Sequence, residues 1–315
     1  MSFSQNFIFY FSKAHLARNW WSAVKLFLSL LGTFELVMTL ISFCTKDGKG
    51  ICLSWPVMLA IIGVVAVVAF FATKPKFKVA AKIEDLDARV VVLLGDVFTD
   101  SGDYVIACNR MFDTSIEKGV LPKTSVQAQY QQRFFGGDVS TVDKMIDSEI
   151  GLSASEDFAS ALGGKTRKYA VGTIAKISNK DGNAYFVALS EMDACATRQI
   201  TKQDFRRGLD ALWNYFSTRG RPRVIKMPVL CSGTTSLGMS REDIIKQIIF
   251  SYVNFVKVNK TCQELRIYVK PEDARTYEVD MYCLEKFLEL ACAGDLMAVA
   301  DAGRDADSEP GEAIG

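Results

Sequence analysis

The sequence predicts an α/β fold, a mixed α/β/α sandwich preceded by a transmembrane α-helical hairpin. Three observations carry this. Residues 53–73 form a charge-free apolar run, with a second apolar stretch just upstream at 20–44. Beyond residue 85 the apolar spacing alternates between strand-like and helix-like stretches, the signature of layered α/β architecture. Two of the apolar runs end on Gly95-Asp96 and Cys108-Asn109. Open α/β sheets bind ligands just outside the carboxyl ends of their strands, so Asp96 and Asn109 either flank one pocket or simply form turns.

Residues 1–19 read as a cytoplasmic N-terminal segment and 20–73 as the hairpin. The run LSWPVMLAIIGVVAVVAFFAT at 53–73 is long enough to cross about 30 Å of hydrocarbon as a helix. Pro56 falls in its first turn, where a missing N–H costs little. The stretch 20–44 is equally apolar apart from Lys25 and Glu35, and it is too long and too late for a cleaved signal peptide. The short connection TKDGKGI forces the two helices antiparallel. Lys13, Arg18 and Lys25 flank one outer end, and Lys74, Lys76, Lys78 and Lys82 the other. The positive-inside rule then places both termini and the following domain in the cytoplasm.

In the first span Lys25, Ser29, Gly32, Glu35, Thr39 and Ser42 are three or four residues apart and share one helix side. Such a stripe is either a snorkelling Lys25 with a neutral, hydrogen-bonded Glu35, or a contact and polar path between gathered copies. Gly63 with Ala60, Ala66 and Ala69 gives the second span a small-residue face suited to close helix contact.

Residues 74–85 read as a basic linker, 86–293 as the soluble domain and 294–315 as a disordered acidic tail. Within the domain, strands are expected at 88–98, 104–108, 169–177, 184–189, 224–231 and 265–269. Helical spacing marks 125–135, 202–218, 240–258 and 277–293. The last-but-one helix opens with Ser240, Arg241, Glu242 and Asp243, a cap followed by acids in the first turn. Ahead of it, VLCSGTTSLGMS is a strand running into a loop of small and hydroxyl residues. Free N–H groups in such a loop and at a helix start favour an anion, although neither the GxxxxGK[ST] nor the GxGxxG pattern is present.

The balance of 37 basic and 36 acidic residues gives no electrostatic footprint for nucleic acid. Eight cysteines at 44, 52, 108, 195, 231, 262, 283 and 292 form no CxxC pair or zinc-like cluster, and read as reduced buried thiols. The single histidine, His15, precedes the first apolar segment. No histidine-based triad, Cys–His pair or His metal site can therefore be assembled in the soluble domain, and no metal or cofactor is expected.

GDVF followed by VIACN, a helix, and later MPVLCSGTTSLG ahead of another helix together resemble a macro domain. CNRMFDTSIEKGVLPKTSVQAQY and YAVGTIAKI resemble more narrowly the divergent macro domains that follow a two-helix membrane hairpin, the effectors of type II Thoeris anti-phage systems. The resemblance covers 86–293, with the hairpin matching in layout. It implies binding of ADP-ribose or a conjugate of it, histidine-ADP-ribose in the type II system, made by a partner TIR-domain enzyme. Asp96 would then accept from the adenine amino group beside the Val97 backbone, and Asn109 would hold the distal ribose. Ser232, Gly233, Thr234, Thr235, Ser236, Leu237 and Gly238 would wrap the diphosphate, leaving Phe112, Asp113 and Thr114 for the conjugated end.

Hydrolytic macro domains carry a glycine-rich loop after a strand close to NAAN, whereas this chain has ACN and FDTSIEKGV. The expected protein is thus a receptor that homo-oligomerises, disrupts the bilayer and causes abortive infection. The alternative is a membrane-tethered ADP-ribosyl hydrolase or deacylase using Asn109.

Overall fold

The computed structural model describes residues 13–44, 55–72, 76–116, 121–151, 153–157, 164–192, 198–233 and 237–294. Residues 1–12, the helix connection at 45–51, Lys74, the loop residues Thr234, Thr235 and Ser236, and the tail beyond Gly294 lie outside them. The chain divides into two compact units, Met1–Lys76 and Phe77–Gly315.

In the first unit α1 (Lys13–Cys44) packs against α2 (Trp55–Ala72). Leu28, Leu36, Trp55 and Val64 are 60%, 63%, 73% and 63% exposed, so the pair does not bury its own apolar surface. Lys25, Ser29, Glu35 and Thr39 are also exposed. The Thr39 hydroxyl donates to the Glu35 carbonyl at 2.9 Å, satisfying itself on its own helix. Among the described residues no helix is long and apolar enough to cross a membrane. The spanning hairpin expected over 20–73 is therefore not supplied by the described residues.

The second unit is built on a mixed sheet in the order β1-β2-β10-β9-β3-β7-β6. Its strands are β1 (Lys78–Lys82), β2 (Arg89–Leu94), β3 (Asp103–Asn109), β6 (Ile174–Asn179), β7 (Gly182–Met192), β9 (Val224–Pro228) and β10 (Glu264–Val269). A short β4–β5 hairpin (Ser155–Asp157 with Arg167–Tyr169) lies apart, and β8 (Arg198–Gln199) pairs with the end of β7. The five central strands β2, β10, β9, β3 and β7 run parallel, while β1 and β6 close the edges antiparallel. Parallel strands are covered on both faces, which is why RVVVLL reads as an apolar run rather than an alternation.

Two helical layers supply the cover. One comprises α5 (Lys202–Arg219), α6 (Arg241–Val258) and α8 (Met281–Ala293), the other α3 (Val126–Phe135) and α4 (Val139–Ile150). The short α7 (Pro271–Thr276) follows β10. Buried residues Phe205, Leu209, Leu212, Trp213 and Phe216 on α5, and Ile244, Ile245, Ile248, Ile249 and Tyr252 on α6, recur at the helical spacing that makes one apolar stripe. The helix starts are set chemically. Ser125, Asp138, Thr201 and Ser240 each accept a backbone N–H three residues on, a cap worth about 1 kcal/mol. Gly136 ends α3 at φ 61°, a left-handed turn that a β-carbon would strain.

Several sequence expectations need correction. The strand expected at 169–177 is two, with β5 ending at Tyr169 and β6 starting at Ile174, and the one expected at 224–231 ends at Pro228. The basic linker at 74–85 is not a linker: its Lys78–Lys82 segment is the edge strand β1, paired residue for residue with β2. The strand expected at 88–98 ends at Leu94, because Gly95 and Asp96 leave the ladder. Val97 and Phe98 then turn back into the core, 5% and 3% exposed. Finally, α4 was not expected, since only Val142, Ile146 and Ile150 mark its buried face.

At the amino end of the parallel strands the Glu264 carboxylate, in a residue 6% exposed, is held by both Arg89 and Arg266. Burial pushes this carboxyl up, but the two arginine hydrogen bonds outweigh burial and hold it below the usual glutamate range. A lowered folded pKa stabilises fully above the unfolded value of about 4.3 and is lost as pH falls through the folded one. Glu264→Gln is expected to cost about 2 kcal/mol at pH 7. It should also make the midpoint of thermal unfolding less sensitive to pH below about 4.3; a calorimetric pH series checks both.

Candidate functional site

A cleft of ≈ 460 Å³ opens at the carboxyl ends of β3, β9 and β10. Its position follows from topology. From β3 the chain continues toward β6 and β7 on one side, and from β9 it passes through α6 to β10 on the other. Between β9 and β3 the winding therefore reverses, the place where open α/β sheets leave a crevice. The two strands pair only at Asp103↔Ile225 and Tyr104↔Lys226 and then part.

The loop after β3 is organised by Asn109. A register shift against β7 falls between Cys108 and Asn109, a bulge that re-aims the strand end. The Asn109 side-chain oxygen then accepts from the backbone N–H groups of Met111 (3.2 Å) and Asp113 (3.0 Å), and its amide donates to the Asp113 carboxylate (2.9 Å). These bonds hold Phe112 at φ 53°, a conformation rare for an aromatic residue. Asp113, 3% exposed, also accepts from the Lys165 backbone N–H at 2.7 Å. Thr114 donates to Asp143 at 2.7 Å, and Lys165 Nζ pairs with Asp143 at 2.8 Å and Asp147 at 3.0 Å. Gln127 on α3 ties in by donating to the Asp113 carbonyl at 2.7 Å.

The opposite wall comes from the turn after β9. Pro228, Val229, Leu230, Cys231, Ser232 and Gly233 all line the cleft. Cys231 sits at φ 52°, and the Ser232 hydroxyl donates to the Val229 carbonyl at 2.6 Å. Among the described residues, nothing lies within 4 Å of a β-carbon built on Gly233. The α6 amino terminus follows, capped by Ser240, with Arg241 on the cleft. The α3 amino terminus, capped by Ser125, lines it from the other side. Two helix starts on one cleft favour an anionic ligand. Burial pushes the Cys108 thiol up and the Cys231 thiol to about 12, so neither is poised as a thiolate nucleophile.

Of the residues singled out in the sequence, Asn109, Ser232 and Gly233 line the cleft. Asp96 does not: its carboxylate accepts from the Phe98 N–H at 3.1 Å, pairs with Arg133 at 3.3 Å, and is 49% exposed. Val97 is packed in the core beside it. Phe112, Asp113 and Thr114 do not reach the cleft either. Phe112 is fully buried edge-to-face on Tyr169, and the other two are consumed by the hydrogen bonds that build the loop. Leu237 is buried and Gly238 takes φ +65° on the way into α6.

Sequence reasoning missed Ser190, Arg241, Lys270, Asp273 and Tyr277 on the cleft. Lys270 follows the last residue of β10, so the strand-end rule applied to Asp96 and Asn109 points to it as well.

A family model described as Thoeris protein ThsA, Macro domain, matches residues 90–270. The Thoeris protein ThsA of Bacillus amyloliquefaciens (strain Y2) is 25% identical over 203 residues, covering 63% of this chain and 66% of its own length. This chain thus spans just under two thirds of that relative. Among solved structures, an Oceanobacillus iheyensis macrodomain with ADP aligns at TM-score 0.43 and 10% identity. The same macrodomain with MES bound aligns at TM-score 0.44 and 12% identity; each alignment covers 67% of this chain and 100% of the other.

The Asp113 carboxylate holds the Asn109 amide and the Lys165 N–H with no solvent to replace either. Asp113→Ala is expected to destabilise the domain by about 3 kcal/mol. It should also accelerate hydrogen exchange at the Met111, Asp113 and Lys165 amides, which amide exchange by mass spectrometry reads directly.

Proposed function

This chain belongs to the Thoeris ThsA macro-domain family, and we propose from that premise that it is a membrane-anchored receptor in bacterial anti-phage defence. Its cleft takes an ADP-ribose-derived signal, such as histidine-ADP-ribose made by a TIR-domain enzyme. The single observation that carries this reading is the cleft itself. It lies where the strand winding reverses, and two helix amino termini and the Ser232–Gly233 turn line one space.

A receptor rather than a hydrolase is favoured by Asn109. Its side-chain oxygen accepts two backbone N–H groups and one of its two amide N–H groups is taken by Asp113, so the side chain is committed mainly to preorganising its own loop. The buried, protonated thiols point the same way. A hydrolase or deacylase is the alternative; turnover of an ADP-ribosylated substrate by the purified chain would establish it.

The exposed apolar faces of α1 and α2 fit a lipid environment, with the macro domain in the cytoplasm beneath a cell membrane. Ligand binding would favour a self-associated state, and gathered helix pairs would then disrupt the bilayer and end the infected cell. A ligand drives such a shift only through its preference for one state.

Two outcomes follow. Among the described residues nothing meets a β-carbon at Gly233, so Gly233→Val should fold as the wild type does, within about 0.5 kcal/mol. Calorimetry on the full-length chain should show at least a tenfold loss of ADP-ribose affinity. Glu35→Leu should leave ADP-ribose binding intact and weaken ligand-dependent vesicle leakage; unchanged leakage would return Glu35 to a snorkelling or structural role.

A further inference from the structure

We propose that Arg241 is a specificity-determining residue of the cleft, a pre-oriented guanidinium that grips the phosphate oxygens of the ligand. The assignment rests on the nucleotide reading above and adds a side chain to it. Arg241 is the first residue of α6, directly after the Ser240 cap. A cation there sits against the positive end of the helix dipole, where an acid is the stabilising choice. Arg241 is thus placed at local cost, which a bound anion would reverse.

The neighbouring acids do not neutralise it. Glu242 pairs with Lys246 at 2.9 Å, and Asp243 accepts from the Ser240 hydroxyl at 2.7 Å. Among the described residues Arg241 has no carboxylate within ion-pair distance, and its buried Nε has no hydrogen-bond partner. A buried charged donor left unbonded is costly, so it points to an acceptor that arrives from outside.

The side chain is nevertheless fixed. Its guanidinium carbon lies 3.9 Å from the Tyr277 ring centroid, within cation–π distance. Stacking occupies one face of the planar group and leaves its edge, the part that forms paired hydrogen bonds with phosphate. Arg241, Tyr277 and Lys270 lie on the same cleft as Ser232 and Gly233. Asp273 also lines this wall, so the two cations there exceed the acids by one and leave a net attraction for an anion.

The test compares ADP-ribose, ADP and adenosine on the full-length chain by calorimetry, at low and high salt. Arg241→Met should weaken ADP-ribose and ADP at least tenfold, change adenosine less than twofold, and flatten the salt dependence. Arg241→Lys, which keeps the charge but loses the planar fork, should fall between, and Tyr277→Leu should weaken the two phosphate ligands alone.

Equal wild-type and Arg241→Met affinities for ADP-ribose would overturn the assignment, as would an equal loss for all three ligands, which marks damage to the fold. A wild-type chain that binds none of the three refutes the nucleotide reading itself, and with it this assignment. That result is distinct from one in which the wild type binds and Arg241→Met binds equally well.

Discussion

The parting of β3 from β9 is the constraint on which the rest of the domain depends. The two strands share a ladder over only Asp103↔Ile225 and Tyr104↔Lys226. Beyond that, neighbouring connections leave toward opposite sides of the sheet, and the cleft opens at their carboxyl ends. Sheet twist widens such a gap with distance from the last shared pair. Pro228 ends β9 with no N–H to extend the ladder, so the chain turns away at Val229 and supplies one wall. The bulge at Asn109 turns β3 the other way and supplies the facing one.

What keeps that opening from collapsing is the internal bonding of the 109–116 loop. Asn109, Asp113, Thr114, Gln127 and Lys165 exchange hydrogen bonds almost entirely among themselves and with α4 carboxylates. A loop whose polar groups are already paired keeps its shape when empty, which lowers the ordering cost of binding. The same bonding commits the Asn109 side-chain oxygen and one of its two amide N–H groups to the shape of the loop. The α3 side is stiffened by aromatic packing, with Tyr130 stacked among Phe98, Phe134 and Phe186 and its hydroxyl taken by Asn179 at 2.7 Å.

Much of the domain was legible in the chain. The alternation of periods located every central strand and four of the helices, because a fully buried parallel strand and a one-sided helix leave different spacings of apolar residues. Ser240 announced its helix start by cap chemistry alone. Elements with weak apolar signals escaped: β1 is a five-residue edge strand, KVAAK, with a lysine at each end, and α4 has only three buried positions. For the site, the strand-end rule leads to Asn109, which lines the cleft, whereas Asp96 and Asp113 lie outside its lining. A carboxylate at a strand tip reads the same in sequence whether it faces a cleft or an N–H two residues on.

The sequence by itself determined the α/β layering, the apolar helix pair ahead of it, the absence of histidine chemistry in the soluble domain, and the small-residue turn before α6. These depend on composition and on contacts a few residues apart. Only the tertiary structure decided that Arg241 stacks on Tyr277, that Lys270 shares its wall, and that Asn109 spends its bonds on its own loop. Those facts join residues tens of positions apart or turn on side-chain direction, and both are fixed by how the strands twist, part and pack rather than by local spacing.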